Sequence, residues 1–349
     1  MEREQKLPTT LLFPWLAQGH VTPYLMLAKK LAKRNLHIYF VSTPIILESI
    51  EKILAKQPSS LNIELVEFHL PSLPELPPHY HTTNALPPHL NFTLIQNFQM
   101  ASSNFSTILD ILNPNFLIYD TYQPWAQSTA SSRNIPSIHF YTSSITTFSQ
   151  IYHYLHENVR AMNCEKDIAS QNLDEIERKI VIGGIVLSAF EHFREIEGKS
   201  IDILSHSSNK EIISIGPIIR DVIDEEDNSE IIQWLDKKDM KSSCVFVSFG
   251  SECILSKKDT EEIAKGLELS LVNFIWAIKF PAGETTTIEE VLPQGFLAKS
   301  EKGIVVKGWV PQARILKHSS IGGSDSLWME FFIRKYKFWC SYNSNAQTF

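Results

Sequence analysis

A strand–helix–strand pattern near the start of the chain constrains the fold more than any other feature of the sequence. Thr9–Phe13 and His37–Ser42 are apolar runs typical of buried strands, and between them Tyr24–Arg34 carries apolar residues at helical spacing. Such a unit places its two strands side by side and parallel, with a right-handed crossover through the helix. The sequence therefore predicts a parallel α/β sheet that begins with Thr9–Phe13.

The same alternation continues along the first part of the chain. One long amphipathic helix is predicted over Leu90–Leu112, after a loop rich in proline and histidine at Pro71–Pro88. Further strands are predicted at Asn62–Phe68, Phe116–Tyr119, Ile138–Tyr141, Ile180–Leu187 and Ile212–Ile215. Strands that alternate with helices favour one doubly wound sheet.

A polar, acidic segment, DVIDEEDNS, divides the chain within residues 221–230 and is typical of a linker between domains. After it a second alternation begins, with strands at Val245–Ser248, Phe274–Ile278 and Gly303–Lys307 and a helix at Lys258–Glu268. A chain of 349 residues also fits roughly two domains of about 150 residues each. We therefore predict two doubly wound α/β domains, residues 1–220 and 231–323.

Charge and composition exclude several classes of function. The 32 basic and 39 acidic residues give a net charge of −7, which argues against a nucleic-acid surface. No apolar run approaches the roughly 20 residues of a membrane helix, and the opening MEREQK lacks a secretory signal pattern. The four cysteines, Cys164, Cys244, Cys253 and Cys340, show no CxxC spacing. We therefore expect a cytoplasmic protein with neither a zinc site nor a disulfide framework.

Two polar residues of the first domain follow predicted strands. His20 lies in QGHVTP, the predicted loop after Thr9–Phe13, and Asp120 directly follows Phe116–Tyr119. Ligands of open parallel sheets bind beyond the carboxyl ends of the strands. A carboxylate there could hold one imidazole nitrogen, so that the other accepts a proton. The plainer alternatives are a surface or helix-capping histidine and an aspartate that caps the next helix.

Two motifs of the second domain suggest a nucleotide. VSFGSE, at Val247–Glu252, offers backbone N–H groups and a hydroxyl to phosphate, although a Gly-Ser turn alone is weak evidence. GWVPQARILKHSSIGG, at Gly308–Gly323, offers the stacking face of Trp309 and the amide of Gln312, which suit a pyrimidine ring. The alternative for this second motif is a buried tryptophan followed by a helix start.

Taken together, FPWLAQGHVTPYLMLAKKLAKRN, LIYDTYQPWA, SIGP, FVSFGSE and GWVPQARILKHSSIGG resemble a plant UDP-dependent glycosyltransferase over residues 7–323. Within that family, the sequences of these segments look most like the branch that adds a sugar to the sugar of a flavonoid or terpenoid glycoside. The resemblance implies a GT-B fold of two Rossmann-like domains. The acceptor would bind the N-terminal domain and the UDP-sugar mainly the C-terminal one.

The resemblance also implies roles for individual residues. His20 would be the catalytic base that deprotonates an acceptor hydroxyl, and Asp120 would orient it, with inversion at the anomeric carbon. The UDP-sugar would be a co-substrate, with no cofactor or metal, and the protein a monomer. The implied donor contacts are Trp309 with uracil, the Val310 backbone and Gln312 with its edge and the ribose, Ser251 with the phosphates, and Thr142 with the sugar.

The sequence departs from the family directly after Gly323. Family members continue there with Phe, two residues and His-Cys-Gly-Trp-Asn-Ser, followed later by Glu, Gly-Val-Pro and an acidic residue with Gln. This run binds the phosphates, the ribose and the sugar hydroxyls. Here Ser324–Glu330 reads SDSLWME, and aromatic and basic residues follow without a strand or helix period.

The genetic code offers an explanation for this departure. Trp and Met have one codon each, so the bases of Trp328-Met329-Glu330 are almost fixed. Read one base later, they must encode Gly-Trp, and the flanking codons permit His-Cys before it and Asn-Ser after it. We therefore expect residues 324–349 to be an aberrant, frameshifted tail and the second domain to be incomplete. The chain would then be an impaired glycosyltransferase, with an acceptor-binding protein without turnover or a non-functional product as alternatives.

Overall fold

The computed structural model describes residues 7–56, 61–84, 86–142, 185–187, 212–214, 229–238, 240–241, 243–250, 253–280, 286–296 and 302–326. The chain divides into two compact units, residues 1–82 with 92–219 and residues 83–91 with 220–349. Each unit contains one parallel sheet together with helices. The proposed linker, 221–230, lies outside the described residues except for its last two, which begin a helix.

The first unit contains a seven-stranded parallel sheet with the order β3-β2-β1-β4-β5-β6-β7. The strands of the first sheet are β1 (Thr9–Phe13), β2 (His37–Ser42), β3 (Ile63–Glu67), β4 (Phe116–Tyr119), β5 (Ser137–Tyr141), β6 (Ile185–Leu187) and β7 (Ile212–Ser214). These agree with the predicted strands to within a residue or two, apart from β6. There the predicted residues 180–184 lie outside the described part of the chain.

Helix α1 spans Gln18–Ala32 and begins well before the predicted start. Pro23 hides this start in the sequence, because proline lacks the N–H that a helix interior uses. In the structure the first turn closes on the carbonyl of Ala17, which accepts from the N–H groups of His20 at 2.9 Å and Val21 at 2.8 Å. His20 therefore lies in the first turn of a helix, which corrects the predicted loop.

The single long helix predicted over Leu90–Leu112 is wrong. Two helices occupy this stretch, α3 (Asn91–Met100) and α4 (Ser102–Leu112). Between them Ala101 is fully buried and has φ −85° and ψ 9°, so the chain bends at a residue that fills the core. The apolar period runs through the break, which is why the sequence does not show it.

Two further helices complete the described part of the first unit. Helix α2 spans Pro44–Leu54, with proline in its first turn and Ile46, Leu47 and Ile50 buried, and the sequence analysis did not predict it. Helix α5 spans Pro124–Ser131. In the described part of the chain, no helix is both long and apolar enough to cross a membrane.

An aromatic cluster fixes the carboxyl end of β1. The ring of Phe13 stacks on Phe105 with centroids 4.6 Å apart and meets the edge of Phe68 at 4.9 Å. Phe98 and Trp125 contact the same ring at 5.6 and 6.0 Å. Because such aromatic pairs add to the energy of burial, they anchor the residue from which the chain leaves the sheet towards α1.

The second unit contains a four-stranded parallel sheet with the order β10-β9-β8-β11. Its strands are β8 (Cys244–Ser248), β9 (Asn273–Ile278), β10 (Gly303–Lys307) and β11 (Ile321–Ser326). Its helices are α6 (Ser229–Asp236), α7 (Lys257–Ser270), α8 (Ile288–Val291) and α9 (Gln312–Lys317). The three predicted strands and the predicted helix 258–268 correspond to β8, β9, β10 and α7.

Strand β11 continues into the segment where the sequence showed no strand pattern. Ser324–Ser326 pairs in parallel register with Phe246–Ser248 of β8. This pairing is formed by hydrogen bonds between main-chain groups. The described part of the sheet therefore extends to Ser326, three residues beyond Gly323.

Candidate active site

His20 and Asp120 follow two neighbouring strands of the first sheet. β1 and β4 pair in parallel, with Phe13 opposite Tyr119, and β2 lies on the other side of β1. The direction in which strands are added therefore reverses between β1 and β4. Ligands of doubly wound sheets bind in the crevice beyond the carboxyl ends of the strands at such a reversal. The topology brings both predicted residues to this edge.

The two side chains contact each other directly. Nδ1 of His20 lies 2.8 Å from Oδ2 of Asp120. The carboxylate is fully buried, whereas the imidazole keeps 16% of its surface exposed. The histidine thus faces outward, and the aspartate supports it from behind.

The surroundings of Asp120 keep it ionised. Burial raises the pKa of this carboxyl, but His20 and two backbone N–H groups lower it by more, so the net pKa shift is downward. The N–H of Trp15 donates to Oδ2 at 3.0 Å, and the N–H of Thr121 donates to Oδ1 at 2.7 Å. A carboxylate only accepts hydrogen bonds, so Nδ1 of His20 carries a proton. In the neutral imidazole, Nε2 is then the basic nitrogen.

The helix-capping alternatives for these two residues are wrong. The residue at the N-cap of α1 is Ala17, so His20 lies inside the helix rather than at its cap. The residue at the N-cap of α5 is Gln123, so Asp120 does not cap that helix. The full burial of Asp120 is explained instead by its contact with His20 and with the backbone.

Gln123 forms hydrogen bonds to the carboxyl ends of both β1 and β4. The sequence analysis did not predict this residue. Its Oε1 accepts from the N–H of Asp120 at 3.0 Å, and its Nε2 donates to the carbonyl of Phe13 at 3.1 Å. The side chain is fully buried, so both bonds are shielded from water. The sequence signal that could have found it is a glutamine directly before a helix-starting proline, three residues after the aspartate.

Thr142 also contacts the histidine. It directly follows β5, and its Oγ1 lies 3.2 Å from Nδ1 of His20. Because the Nδ1 proton points to Asp120, the threonine oxygen acts as a second acceptor for that proton. The contact of Thr142 with a donor sugar stays a prediction.

A second histidine lies behind this group without being a second base. Nε2 of His139 lies 3.0 Å from Oγ1 of Thr121, and its ring stacks on Tyr119 with centroids 5.3 Å apart. Burial lowers the pKa of His139 from its ordinary 6.5 to about 4, more than the nearby Asp120 raises it. His139 is therefore neutral near pH 7 and serves the packing behind the site.

Aromatic rings border His20. The ring of Tyr122 meets the imidazole edge-on, with centroids 5.7 Å apart, and stacks on Trp15 at 4.5 Å. Trp15 is buried and Tyr122 is 37% exposed. This gives the site an apolar wall next to its base, which suits a hydrophobic ring system.

The second unit contains the predicted nucleotide-binding residues. Trp309 is half-buried just beyond β10, and Nζ of Lys279 lies 5.4 Å from the centroid of its ring. The side chain of Val310 is buried in the core of this unit, so only its backbone is available to a ligand. Gln312 is the half-buried first residue of α9. Ser251 lies outside the described residues.

The strand order of the second sheet also reverses at one point, between β8 and β11. A ligand crevice is therefore expected beyond the ends of these two strands. β8 ends at Ser248 and leads to the predicted phosphate turn, and β11 ends at Ser326. In the described parts of the chain, no group of three or more His, Cys, Asp or Glu side chains is arranged to hold a metal ion.

Comparison with known proteins identifies the family. The family "glycosyltransferase, N-terminal domain" matches residues 9–220. Mogroside IIIx synthase of Siraitia grosvenorii is 46% identical over 339 residues, which cover 90% of this chain and 75% of that protein. The chain belongs to the plant UDP-glycosyltransferase family.

A second UDP-glycosyltransferase relative and a solved structure support this assignment. Flavanone 7-O-glucoside 2''-O-beta-L-rhamnosyltransferase of Citrus maxima is 42% identical, with 92% of this chain and 75% of that protein covered. The crystal structure of Glycyrrhiza uralensis UGT73P12 with glycyrrhetinic acid 3-O-monoglucuronide matches with a TM-score of 0.75 and 21% identity, covering 91% and 72%. The fold of this UDP-glycosyltransferase is thus GT-B, as the sequence predicted.

Proposed function

We propose that this protein carries the acceptor half and the catalytic base of an inverting UDP-sugar-dependent O-glycosyltransferase. The observation that supports this most is the 2.8 Å contact between His20 Nδ1 and the buried, ionised Asp120. With its proton on Nδ1, the neutral imidazole has Nε2 as its proton acceptor, and the side chain keeps 16% of its surface exposed. A base in that place suits the removal of a proton from a hydroxyl group.

The reaction follows from this arrangement. Nε2 of His20 takes the proton of the acceptor hydroxyl while the hydroxyl oxygen forms a bond to the anomeric carbon of the sugar. The bond between that carbon and the UDP oxygen breaks, and UDP leaves with the electron pair from the opposite face, so the configuration inverts. Asp120 stabilises the imidazolium that forms.

For the acceptor, we propose a glycoside of a plant specialised metabolite. The name of the Citrus maxima relative specifies a flavanone 7-O-glucoside, and Beta-D-glucosyl crocetin beta-1,6-glucosyltransferase of Gardenia jasminoides, 42% identical, specifies a glucosyl acceptor. The aromatic wall of Trp15 and Tyr122 beside His20 suits the ring system of such a compound.

For the donor, we propose a UDP-sugar whose uracil stacks on Trp309, with the Val310 backbone and Gln312 at its edge and ribose and Ser251 at its phosphates. The donor is a co-substrate, and we propose that no metal or other cofactor takes part. We also propose that the protein acts as a monomer in the cytosol. The intermediate exposure of Trp309 and Gln312 supports the donor contacts, since both side chains keep part of their surface at the surface of the unit.

A second candidate, an acceptor-binding protein without turnover, is favoured by the sequence after β11. The expected ligand crevice of the second unit lies beyond β8 and β11. β11 is followed in the sequence by LWMEFF rather than by the family's run, which supplies most contacts to phosphate and sugar. Each charge-assisted hydrogen bond contributes about 1.5–3 kcal/mol to binding, so the loss of several would remove most of the affinity for the UDP-sugar.

One pair of experiments tests both candidates. A frame-restored version, with two nucleotides reinserted after the Gly323 codon, is incubated with UDP-glucose and a flavanone 7-O-glucoside. We expect a product heavier by one hexose with an inverted anomeric centre, and no product would contradict the enzyme proposal. The natural chain is titrated calorimetrically with the same glycoside. Measurable binding without turnover supports the second candidate, and no binding contradicts it.

A further inference from the structure

Lys279 lies at the edge of the second sheet where strands lead into ligand-binding loops. It directly follows β9, the strand between β8 and β10. Ala277 pairs with Ser248 of β8, and Ile278 pairs with Lys307 of β10. Continued outward, these registers place Lys279 between Gly250 on one side and Gly308 on the other.

Both flanking glycines have a backbone conformation that side chains disfavour. Gly250 has φ +83° and Gly308 has φ +94°. Around Gly308, an added Cβ would meet nothing within 4 Å, so the space above its backbone is open. The N–H of Gly308 donates to the carbonyl of Ile278 at 2.8 Å, which fixes the two strand ends against each other. Lys279 therefore lies at a strand end between two positions without side chains.

Lys279 is a partly buried cation beside which the described residues show no carboxylate. The side chain is half-buried, and burial lowers the pKa of its ammonium group. Other lysines of the chain have carboxylate partners, such as Lys265 with Glu262 at 3.0 Å and Lys52 with Glu48 at 2.8 Å. Within the ranges that the structure describes, no such partner is shown for Lys279. A desolvated cation is costly unless an anion meets it, so this position favours an anionic ligand.

The aromatic neighbour of Lys279 links it to the nucleotide proposed above. Its Nζ lies 5.4 Å from the centroid of Trp309, within the range of a cation–π contact. This contact directs the flexible lysine stem towards the motif that would stack uracil. The protein has a net charge of −7, which would repel a diphosphate. A cation at this position would offset that repulsion locally.

We propose that Lys279, between Gly250 and Gly308, is a binding residue for the diphosphate of the sugar nucleotide. This inference rests on the proposed function for the identity of the nucleotide, but the anion contact can be tested by itself. The glycines allow phosphate oxygens to approach the backbone, and the ammonium group supplies the opposing charge.

The test is protection of Lys279 from chemical modification in the natural chain. The purified protein is treated with a limiting amount of an amine-acylating reagent, and the modification rate of each lysine is read from peptide masses. Lys238 is the matched control, because it is also half-buried and lies over a tryptophan ring, with its Nζ 4.1 Å from Trp234. Inorganic pyrophosphate, UDP and uridine are compared at about 10 mM, where a Kd of about 1 mM gives roughly nine-tenths occupancy. Sodium chloride at equal ionic strength is the control for a general effect of salt on the modification rate.

We expect pyrophosphate and UDP to slow modification of Lys279 roughly tenfold, at that occupancy, and to leave Lys238 unchanged. Uridine and sodium chloride should have little effect. The anion assignment is overturned if pyrophosphate gives no protection, or if uridine or chloride protects as well as pyrophosphate does. Protection by pyrophosphate without protection by UDP would leave an anion site at Lys279 but would overturn its assignment to the diphosphate of the sugar nucleotide.

Discussion

The two sheets differ in how completely they supply a site at the point where their strand order reverses. In the first sheet, the residues after β1 and β4 form one connected group, in which Asp120 accepts from His20, Trp15 and Thr121. In the second sheet the reversal lies between β8 and β11, and the sequence after β11 lacks the family's phosphate and ribose residues. Under the function proposed above, this chain keeps the acceptor side of a UDP-glycosyltransferase and lacks most of the donor side.

The largest effect should follow from removal of the catalytic base. In the frame-restored version, His20→Ala should lower kcat by at least about 100-fold with little change in acceptor affinity, because Nε2 is the proton acceptor. Steady-state kinetics with a glycoside acceptor measures this. His37→Ala, at a partly exposed position whose histidine contacts Glu64, is the control. Near-normal turnover in His20→Ala would show that the connected group of the first sheet is structural only.

A smaller loss is expected when the carboxylate is made neutral. Asp120→Asn should lower kcat roughly 10- to 100-fold, because an amide does not stabilise the imidazolium and can donate to Nδ1, which favours the wrong tautomer. The apparent pKa of the base, read from the pH dependence of kcat/KM, should fall. Asp110→Asn, which removes an exposed partner of Arg133, is the matched control. An unchanged rate and pH profile in Asp120→Asn would contradict the support role.

The sequence predicted that His20 and Asp120 lie together, but it predicted neither Gln123 nor the contact of Thr142 with His20. His20 and Asp120 each follow a strand, and the rule that ligands bind beyond strand ends found them. Gln123 and Thr142 act through contacts between distant positions, with Thr142 122 residues away from His20. Such contacts depend on strand order, which the pattern of strands and helices does not specify. The break at Ala101 was missed because the apolar period continues through it.

Stability should depend on pH more steeply in the first unit because of His139. Its pKa is lowered from 6.5 to about 4, so between these values the unfolded chain binds a proton that the folded chain does not. The free energy of unfolding should therefore fall as the pH drops from 6.5 to 4, by up to roughly 3 kcal/mol for this group. His139→Gln should flatten that dependence, as measured by urea unfolding at several pH values.

The matched variant for this measurement is His79→Gln, at an exposed position of the same unit. Burial also lowers the pKa of His81, but His81 is present in the parent chain and in both variants. A difference in the pH dependence of the unfolding free energy is therefore due to His139. An identical pH dependence in His139→Gln and the parent chain would contradict the buried, neutral state of His139.

In the second unit a pair of glycines tests whether the sheet is well packed despite the altered sequence that follows it. A Cβ at Gly303 would overlap the ring of Phe274, which is buried, so Gly303→Ala should destabilise by roughly 1–3 kcal/mol. A Cβ at Gly266, inside α7, would meet nothing within 4 Å, so Gly266→Ala should stabilise by about 0.5–1 kcal/mol. Urea unfolding of both variants measures this, and equal midpoints would show that the second sheet is loosely packed.

The departure after Gly323 was seen by comparison with the family, and the codons of Trp328, Met329 and Glu330 suggested a frameshift as its cause. Strand β11 still pairs with β8 as far as Ser326, through hydrogen bonds between main-chain groups. The frameshift itself stays a prediction. Lys279 was not predicted, because an isolated lysine at a strand end carries no signal until its two neighbouring strand ends are known to be glycines.

The most direct test of the difference between the two sheets is calorimetric titration of UDP into the natural chain beside the frame-restored version. Trp309, Gln312 and Lys279 offer the natural chain a ring stack, an amide and one cation, and the restored version adds the family's phosphate and ribose contacts. We predict that UDP binds the natural chain at least about 100-fold more weakly, since two lost contacts of about 1.5–3 kcal/mol each suffice for this. Equal affinities would contradict both the frameshift and the incomplete donor side, and would mean that residues 324–349 build a donor site of their own.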